Sequence, residues 1–170
     1  MNPIIELVLI TLAPFLELRA SIPYGILGGT LKLPFGLGSL NGLGMEWYWV
    51  FLICVVVNIF LGIVVYYLLD KFVHLVIKVR WIGKIYDKIV IRVQSKIEKS
   101  VEKYGELGVA LFIGIPLPGS GVYSGALGSY LIGLKFKKFI IANIIGVVIA
   151  GVVVTLVVVS GDGLFGLFVK

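Results

Sequence analysis

Charged residues are scarce in this chain of 170 residues: they make up 14% of it, whereas hydrophobic residues make up 59%. Soluble domains carry about 25% charged and about 45–50% apolar residues. A chain with so few charges could not cover a water-exposed surface, so we expect an integral membrane protein and disfavour soluble enzymes. The net charge of +6 is then better explained by membrane topology than by binding to nucleic acid.

Cysteine and histidine are scarcer still, with one residue of each, Cys54 and His74. A lone cysteine excludes an internal disulfide framework, and neither residue type is numerous enough for a clustered metal centre. No set of nucleophile, base and acid can be assembled from the remaining side chains. We therefore predict no enzyme activity, no cofactor and no metal.

Two nearly unbroken apolar runs, residues 47–69 and 139–159, are each long enough to cross a bilayer as a helix. About 20 residues suffice for this, and the lipid interior requires the backbone to bond to itself. Two further apolar stretches, 2–31 and 105–134, are interrupted near the middle by proline, glycine or charged residues. Each could be a single kinked helix or a re-entrant hairpin of two half-helices.

Basic residues decide between these alternatives. Nine of them lie between Lys71 and Lys103, and three more form a cluster at 135–138. The positive-inside rule places such segments in the cytoplasm. Both are cytoplasmic only if 105–134 turns back as a hairpin, which puts twelve of the fifteen basic residues on one side. The same parity makes 2–31 a hairpin that enters and leaves on the outer side.

We therefore predict an all-α integral membrane fold of two inverted repeats, each a re-entrant helical hairpin plus one transmembrane helix. The repeats are residues 1–69 and 105–160 of a single membrane domain, with a connector at 70–104 and a tail at 161–170. The connector's apolar and basic residues recur at helical spacing, typical of an amphipathic helix with a basic face. It either lies on anionic headgroups or is a solvated link that sets the orientation of the chain.

The first broken stretch carries opposite charges where lipid penalises them, at Glu17 and Arg19. Arg19 could bind an anionic headgroup and Glu17 could tune or couple transport, with Ser21 and Pro23 in the same segment. The alternative is a neutralised ion pair that only holds the tip of the hairpin.

The second broken stretch has a turn rich in proline and glycine, which could present backbone amides to an anion or could simply reverse the chain. Its candidate residues are Pro116, Pro118, Gly119, Ser120 and Gly121. Asn58 and Asn143, inside the two spanning runs, could coordinate a substrate or satisfy backbone groups of a broken neighbour. Broken segments at corresponding positions of two inverted halves are typical of a transporter's central site.

The motifs at residues 17–25 and 116–121, with Gly125 and Asn143 downstream, resemble those of the putative small multidrug export protein family. That family is similar to the wider DedA (VTT) superfamily of membrane proteins. The resemblance implies two opposed re-entrant hairpins. Some members of the superfamily are implicated in moving lipid carriers such as undecaprenyl phosphate across the bilayer.

These observations predict a transporter in the cytoplasmic membrane that moves an amphiphilic, anionic, lipid-like substrate by alternating access, and the resemblance implies a polyprenyl phosphate as an example of that substrate. The alternatives are a proton-coupled small multidrug exporter and a membrane organiser that transports nothing. Expected partners are membrane lipids, a coupling proton or sodium ion and, because the membrane core is small, a second copy of the chain in a homodimer. Residues 70–104 and 135–138 are expected on the cytoplasmic side.

Overall fold

The computed structural model describes the backbone of residues 2–14, 16–32, 39–77, 105–116 and 120–168. Side chains are described over 2–14, 16–29, 41–71, 105–116 and 120–161. Within these ranges the chain forms six helices and a two-stranded ribbon, so the largely helical prediction is confirmed. The helices are α1 (Pro3–Leu12), α2 (Glu17–Ile26), α3 (Trp47–Ile77), α4 (Gly105–Gly114), α5 (Val122–Leu131) and α6 (Phe136–Phe168), and the strands are β1 (Gly28–Lys32) and β2 (Ser39–Leu43).

The first broken stretch folds as two short helices that pack on each other, α1 and α2. Asn2 caps α1, because its Oδ1 accepts a hydrogen bond of 3.0 Å from the amide of Ile4. Helix α1 ends just before Pro14, as expected for the residues that precede a proline. Each helix has ten residues and is therefore about 15 Å long, half the thickness of a typical hydrocarbon core.

The ribbon of β1 and β2 has no counterpart among the elements predicted from the sequence. The strands pair antiparallel with Gly28 opposite Leu43, and the amide of Met45 donates a 2.8 Å hydrogen bond to the carbonyl of Gly25. The predicted helical stretch 2–31 therefore ends earlier than expected, because residues from Gly28 onward form β1. Helix α2 stops before a pair of glycines, and Gly29 has a φ of +88°, which side chains disfavour.

The two long helices, α3 and α6, contain the predicted spanning runs. Their segments Trp47–Lys71 and Phe136–Gly161 are long and apolar enough to cross a membrane. Large apolar side chains on both are exposed, including Phe60 at 68% and Val157 at 66%. Water would penalise this exposure, whereas lipid would not. Both helices extend past the predicted runs, α3 to Ile77 and α6 to Phe168.

The chain divides into two compact units, Met1–Asn58 with Val148–Lys170, and Ile59–Val147. The first unit contains α1, α2, the ribbon, the beginning of α3 and the end of α6. Its core is close-packed: a Cβ on Gly25 would lie 2.6 Å from Val50 and 2.9 Å from Leu7. A Cβ on Gly151 of α6 would likewise lie 2.7 Å from Val55.

The second unit contains the rest of α3, with α4, α5 and the beginning of α6. Ile113 of α4 fills the space beside two glycines, since a Cβ on Gly125 or Gly146 would lie 2.5 Å or 2.7 Å from its side chain. The ring of Tyr66 on α3 stacks on Phe139 of α6 with centroids 4.6 Å apart. From residue 78 to 104 the predicted amphipathic connector lies outside the described residues.

Candidate functional site

The Glu17–Arg19 pair lies at the start of α2 in the first unit. Arg19 Nη1 is 3.5 Å from Glu17 Oε2, and the side chains are 15% and 4% exposed. The predicted ion pair therefore forms, and its carboxylate is the more deeply buried member. This contact is longer than the 2.7–2.9 Å or so of a strong charge-assisted hydrogen bond.

The backbone of Glu17 is also unusual. Its φ is +47°, and it is the one residue other than glycine with a positive φ in the described part of the chain. Left-handed backbone at such a residue costs on the order of 1–3 kcal/mol and is concentrated at functional sites. The sequence carries no signal for this strain. The fold thus holds Glu17, the buried carboxylate of the pair, in a backbone conformation that residues other than glycine disfavour.

Further polar side chains of the same unit lie between α1, α2 and α3. Ser21 Oγ is 3.2 Å from Cys54 Sγ, and Thr11 Oγ1 donates to the carbonyl of Leu7 at 2.8 Å. Thr11 Oγ1 also lies 3.7 Å from Cys54 Sγ, so the sulfur is flanked by two hydroxyl groups. The hydroxyl of Ser21 donates to Cys54, which leaves the oxygen of Ser21 as an acceptor.

Asn58 lies one helical turn after Cys54 on the same face of α3. It is 1% exposed, and its Oδ1 has no hydrogen-bond partner among the described residues. A buried acceptor without a partner costs about 1–3 kcal/mol. This oxygen therefore gives no support to the alternative that Asn58 satisfies a backbone group of a broken neighbouring helix.

Pro23 and its neighbour Tyr24 lie further along α2. The hydroxyl of Tyr24 donates a 2.7 Å hydrogen bond to Oε2 of Glu6 on α1. Pro23 is half-buried and lies inside the helix, where it lacks an amide hydrogen. Glu6 was not among the predicted site residues. Its position within an apolar run was the signal that could have identified it.

The remaining predicted residues belong to the second unit. Asn143 Nδ2 donates a 3.0 Å hydrogen bond to the carbonyl of Ile59, and its side chain lies against Gly62. This bond matches the structural alternative, in which the asparagine satisfies a backbone group. Its Oδ1, however, has no hydrogen-bond partner among the described residues, and neither does Oγ of the buried Ser129 on α5.

The turn that follows α4 is closed by Ser120, whose Oγ donates a 2.6 Å hydrogen bond to the carbonyl of Ile115. Gly121 precedes α5 with a φ of +131°, a conformation that requires glycine. Pro116 is exposed. Pro118 and Gly119 lie outside the described residues, so a cradle of backbone amides at this turn stays a prediction.

The structure thus gathers five of the predicted residues in the first unit: Glu17, Arg19, Ser21, Pro23 and Asn58. Four more, Pro116, Ser120, Gly121 and Asn143, belong to the second unit. The described side chains include no group of three or more histidine, cysteine, aspartate or glutamate residues that could hold a metal ion. The chemistry of the first unit rests instead on one ion pair and several oxygen acceptors.

Comparison with known proteins gives one family. The family model described as "Putative small multi-drug export protein" matches residues 17–153, which is well over half of the chain. No curated protein and no solved structure matches the chain. The match begins at Glu17, so it includes the helices α2 to α5, and it ends within α6. The two long apolar helices agree with a membrane protein. The chain belongs to the family of putative small multidrug export proteins.

Proposed function

We propose that the protein is a transporter of the cytoplasmic membrane that moves an amphiphilic, anionic, lipid-like substrate between leaflets by alternating access. Its membership of a family described by export supports transport as the class of activity. The two long apolar helices, with large side chains exposed along them, support a multi-pass membrane protein.

The proposed topology rests on helix length and charge. Helices α1, α2, α4 and α5 are each about 15 Å long, too short to cross a hydrocarbon core of about 30 Å. As re-entrant pairs they would reach the middle of the bilayer and return. Each compact unit contains one short-helix pair and a part of each long helix, a composition that supports an inverted repeat. The basic clusters would then share the cytoplasmic side.

The choice of an anionic substrate rests on the Glu17–Arg19 pair. The guanidinium is the more exposed of the two charges, at 15% against 4%. A ligand that approaches the pair therefore reaches positive charge and planar N–H donors first, which suits a phosphate or carboxylate headgroup. Glu17 would keep the empty site neutral and would compete with the headgroup for Arg19, so that the substrate can also leave.

Reconstituted proteoliposomes test this proposal with a fluorescent short-chain polyprenyl phosphate, whose movement between leaflets is followed by quenching from outside. Arg19→Ala should abolish translocation, and Arg19→Lys should retain a part of it, because lysine keeps the charge but not the planar donors. Lys138→Ala is the control: Lys138 forms an exposed ion pair with Glu106 at 2.7 Å in the second unit. Unchanged translocation by Arg19→Ala would refute the anionic-substrate proposal.

Export of small cationic drugs is the second candidate. The observation that favours it is the depth of Glu17, which is 3% exposed as a residue and could hold a desolvated cation. Under this proposal Glu17→Gln abolishes efflux of a cationic dye such as ethidium, whereas Arg19→Gln retains it. The reverse pattern, or loss of both, would contradict drug export through Glu17.

A further inference from the structure

Helices α2 and α3 pack antiparallel in a register that two contacts define. Gly25 lies against Val50, and Ser21 bonds to Cys54. A step of four residues back along α2 therefore matches a step of four residues forward along α3. The next step in this register sets Glu17 of α2 at the level of Asn58 of α3, and both residues are buried.

This register brings oxygen-bearing groups of Glu17, Ser21 and Asn58 onto neighbouring turns of the two helices within the first unit. Glu17 supplies a carboxylate, and Asn58 supplies an Oδ1 with no hydrogen-bond partner among the described residues. Ser21 supplies an oxygen whose own hydrogen is used on Cys54. All three act as acceptors. The buried Oδ1 of Asn58 in particular calls for a cation or a hydrogen-bond donor.

We propose that Glu17, Ser21 and Asn58 form a binding site for Na⁺, which is occupied together with an anionic headgroup on Arg19. This inference rests on the proposed function. Carboxylate, amide and hydroxyl oxygens are ligands that hard cations prefer. In this proposal Asn58 is a ligand of the cation, and Na⁺ is the coupling ion.

Charge balance explains why the two ligands should bind together. Without ligands, Glu17 neutralises Arg19 across 3.5 Å. An anion on Arg19 adds one negative charge to a buried site, and a Na⁺ ion beside Glu17 restores neutrality. Either ligand alone would leave a net charge in a medium of low dielectric constant, which is costly. Na⁺ and the anion should therefore raise each other's affinity by the same factor.

Equilibrium binding to the purified full-length protein in detergent tests the inference. The anion probe is farnesyl phosphate, titrated in NaCl and in choline chloride of equal ionic strength, at each of two pH values. We expect binding to be about tenfold tighter in NaCl, within the usual range for coupled sites. Binding of ²²Na⁺, measured by scintillation proximity, should rise by the same factor when farnesyl phosphate is added.

Asn58→Leu keeps the size of the side chain and removes its oxygen, so it should abolish both the advantage of NaCl and the binding of ²²Na⁺. Thr155→Val is the matched control, because Thr155 is also buried on a long helix with an oxygen that lacks a hydrogen-bond partner in the described part of the chain. Its sodium dependence should equal that of the wild type.

The comparison of NaCl with choline chloride needs only the wild-type protein, so it holds even if Asn58→Leu fails to fold. Equal affinity for farnesyl phosphate in both salts would overturn the Na⁺ site and leave the role of Arg19 intact. Equal affinity in both salts with tighter binding at lower pH would assign the coupling to a proton on Glu17 and also overturn it. Absence of farnesyl phosphate binding in either salt would overturn both proposals.

Discussion

Neutralising the buried Glu17–Arg19 pair one residue at a time should cost more stability than neutralising both residues together. At 3.5 Å and an effective dielectric constant of about 20, two unit charges attract each other by about 5 kcal/mol. Lost hydration offsets much of this attraction in the intact pair. A single substitution, Glu17→Gln or Arg19→Gln, leaves the other charge without its opposite charge, at a cost of about 3 kcal/mol.

A thermal melt of the purified protein in detergent measures these changes, with ligand-free buffer for all variants. A loss of about 3 kcal/mol should lower the melting midpoint by roughly 6–12 °C for a chain of this size. The double variant Glu17→Gln/Arg19→Gln contains neither of these two charges. Its melting midpoint should therefore be well above the midpoint that the sum of the two single losses predicts. We expect a coupling of at least about 1.5 kcal/mol between the two positions.

Strict additivity of the two single losses would refute this account, because it would mean that the two charges do not interact. The double variant also separates structure from function. If the pair only holds the tip of the first helix pair, restored stability should restore translocation of the polyprenyl phosphate. If Arg19 binds the headgroup, the double variant should be stable and inactive, which is the outcome that we expect.

Two further predictions concern the second unit and the topology. Gly125→Ala should destabilise the protein by about 1–3 kcal/mol through overpacking, because the new Cβ would lie 2.5 Å from the side chain of Ile113. A Cβ at Gly128 on the same helix would have no atom within 4 Å, so Gly128→Ala should stabilise the protein by about 0.4–1 kcal/mol. Equal melting midpoints of the two variants would contradict this packing. In a Cys54→Ser background, Lys137→Cys should react with a membrane-impermeant maleimide only in inside-out vesicles, and reaction in intact cells would exclude a re-entrant second helix pair.

Much of the helical plan follows from local sequence. The spanning runs are visible because they exceed the length of a bilayer with scarcely a polar residue, and the structure places both inside long helices. Proline and glycine mark where the other apolar stretches break, since Pro14 lies between α1 and α2. The Glu17–Arg19 pair could be predicted for the same reason: lipid penalises a lone charge, so an opposite charge two residues away is its natural partner.

Pairings between distant residues could not be predicted in this way. The β-ribbon depends on a register between Gly28 and Leu43, and a glycine-rich segment with little alternation carries no signal for it. The bond between Tyr24 and Glu6 joins residues eighteen positions apart. Cys54 is buried between two hydroxyl groups from two other helices, a contact that joins residues far apart in the sequence.

By itself the sequence determined the membrane class, the two spanning helices, the broken segments and the charges within them. These are properties of runs of residues, since transfer to lipid acts on each side chain and each amide where it stands. Only the tertiary structure decided which polar groups face one another. It set Ser21 against Cys54, gave Glu17 a left-handed backbone and left the oxygen of Asn58 without a partner among the described residues. Such relations depend on helix register, which only the packing of α2 on α3 defines.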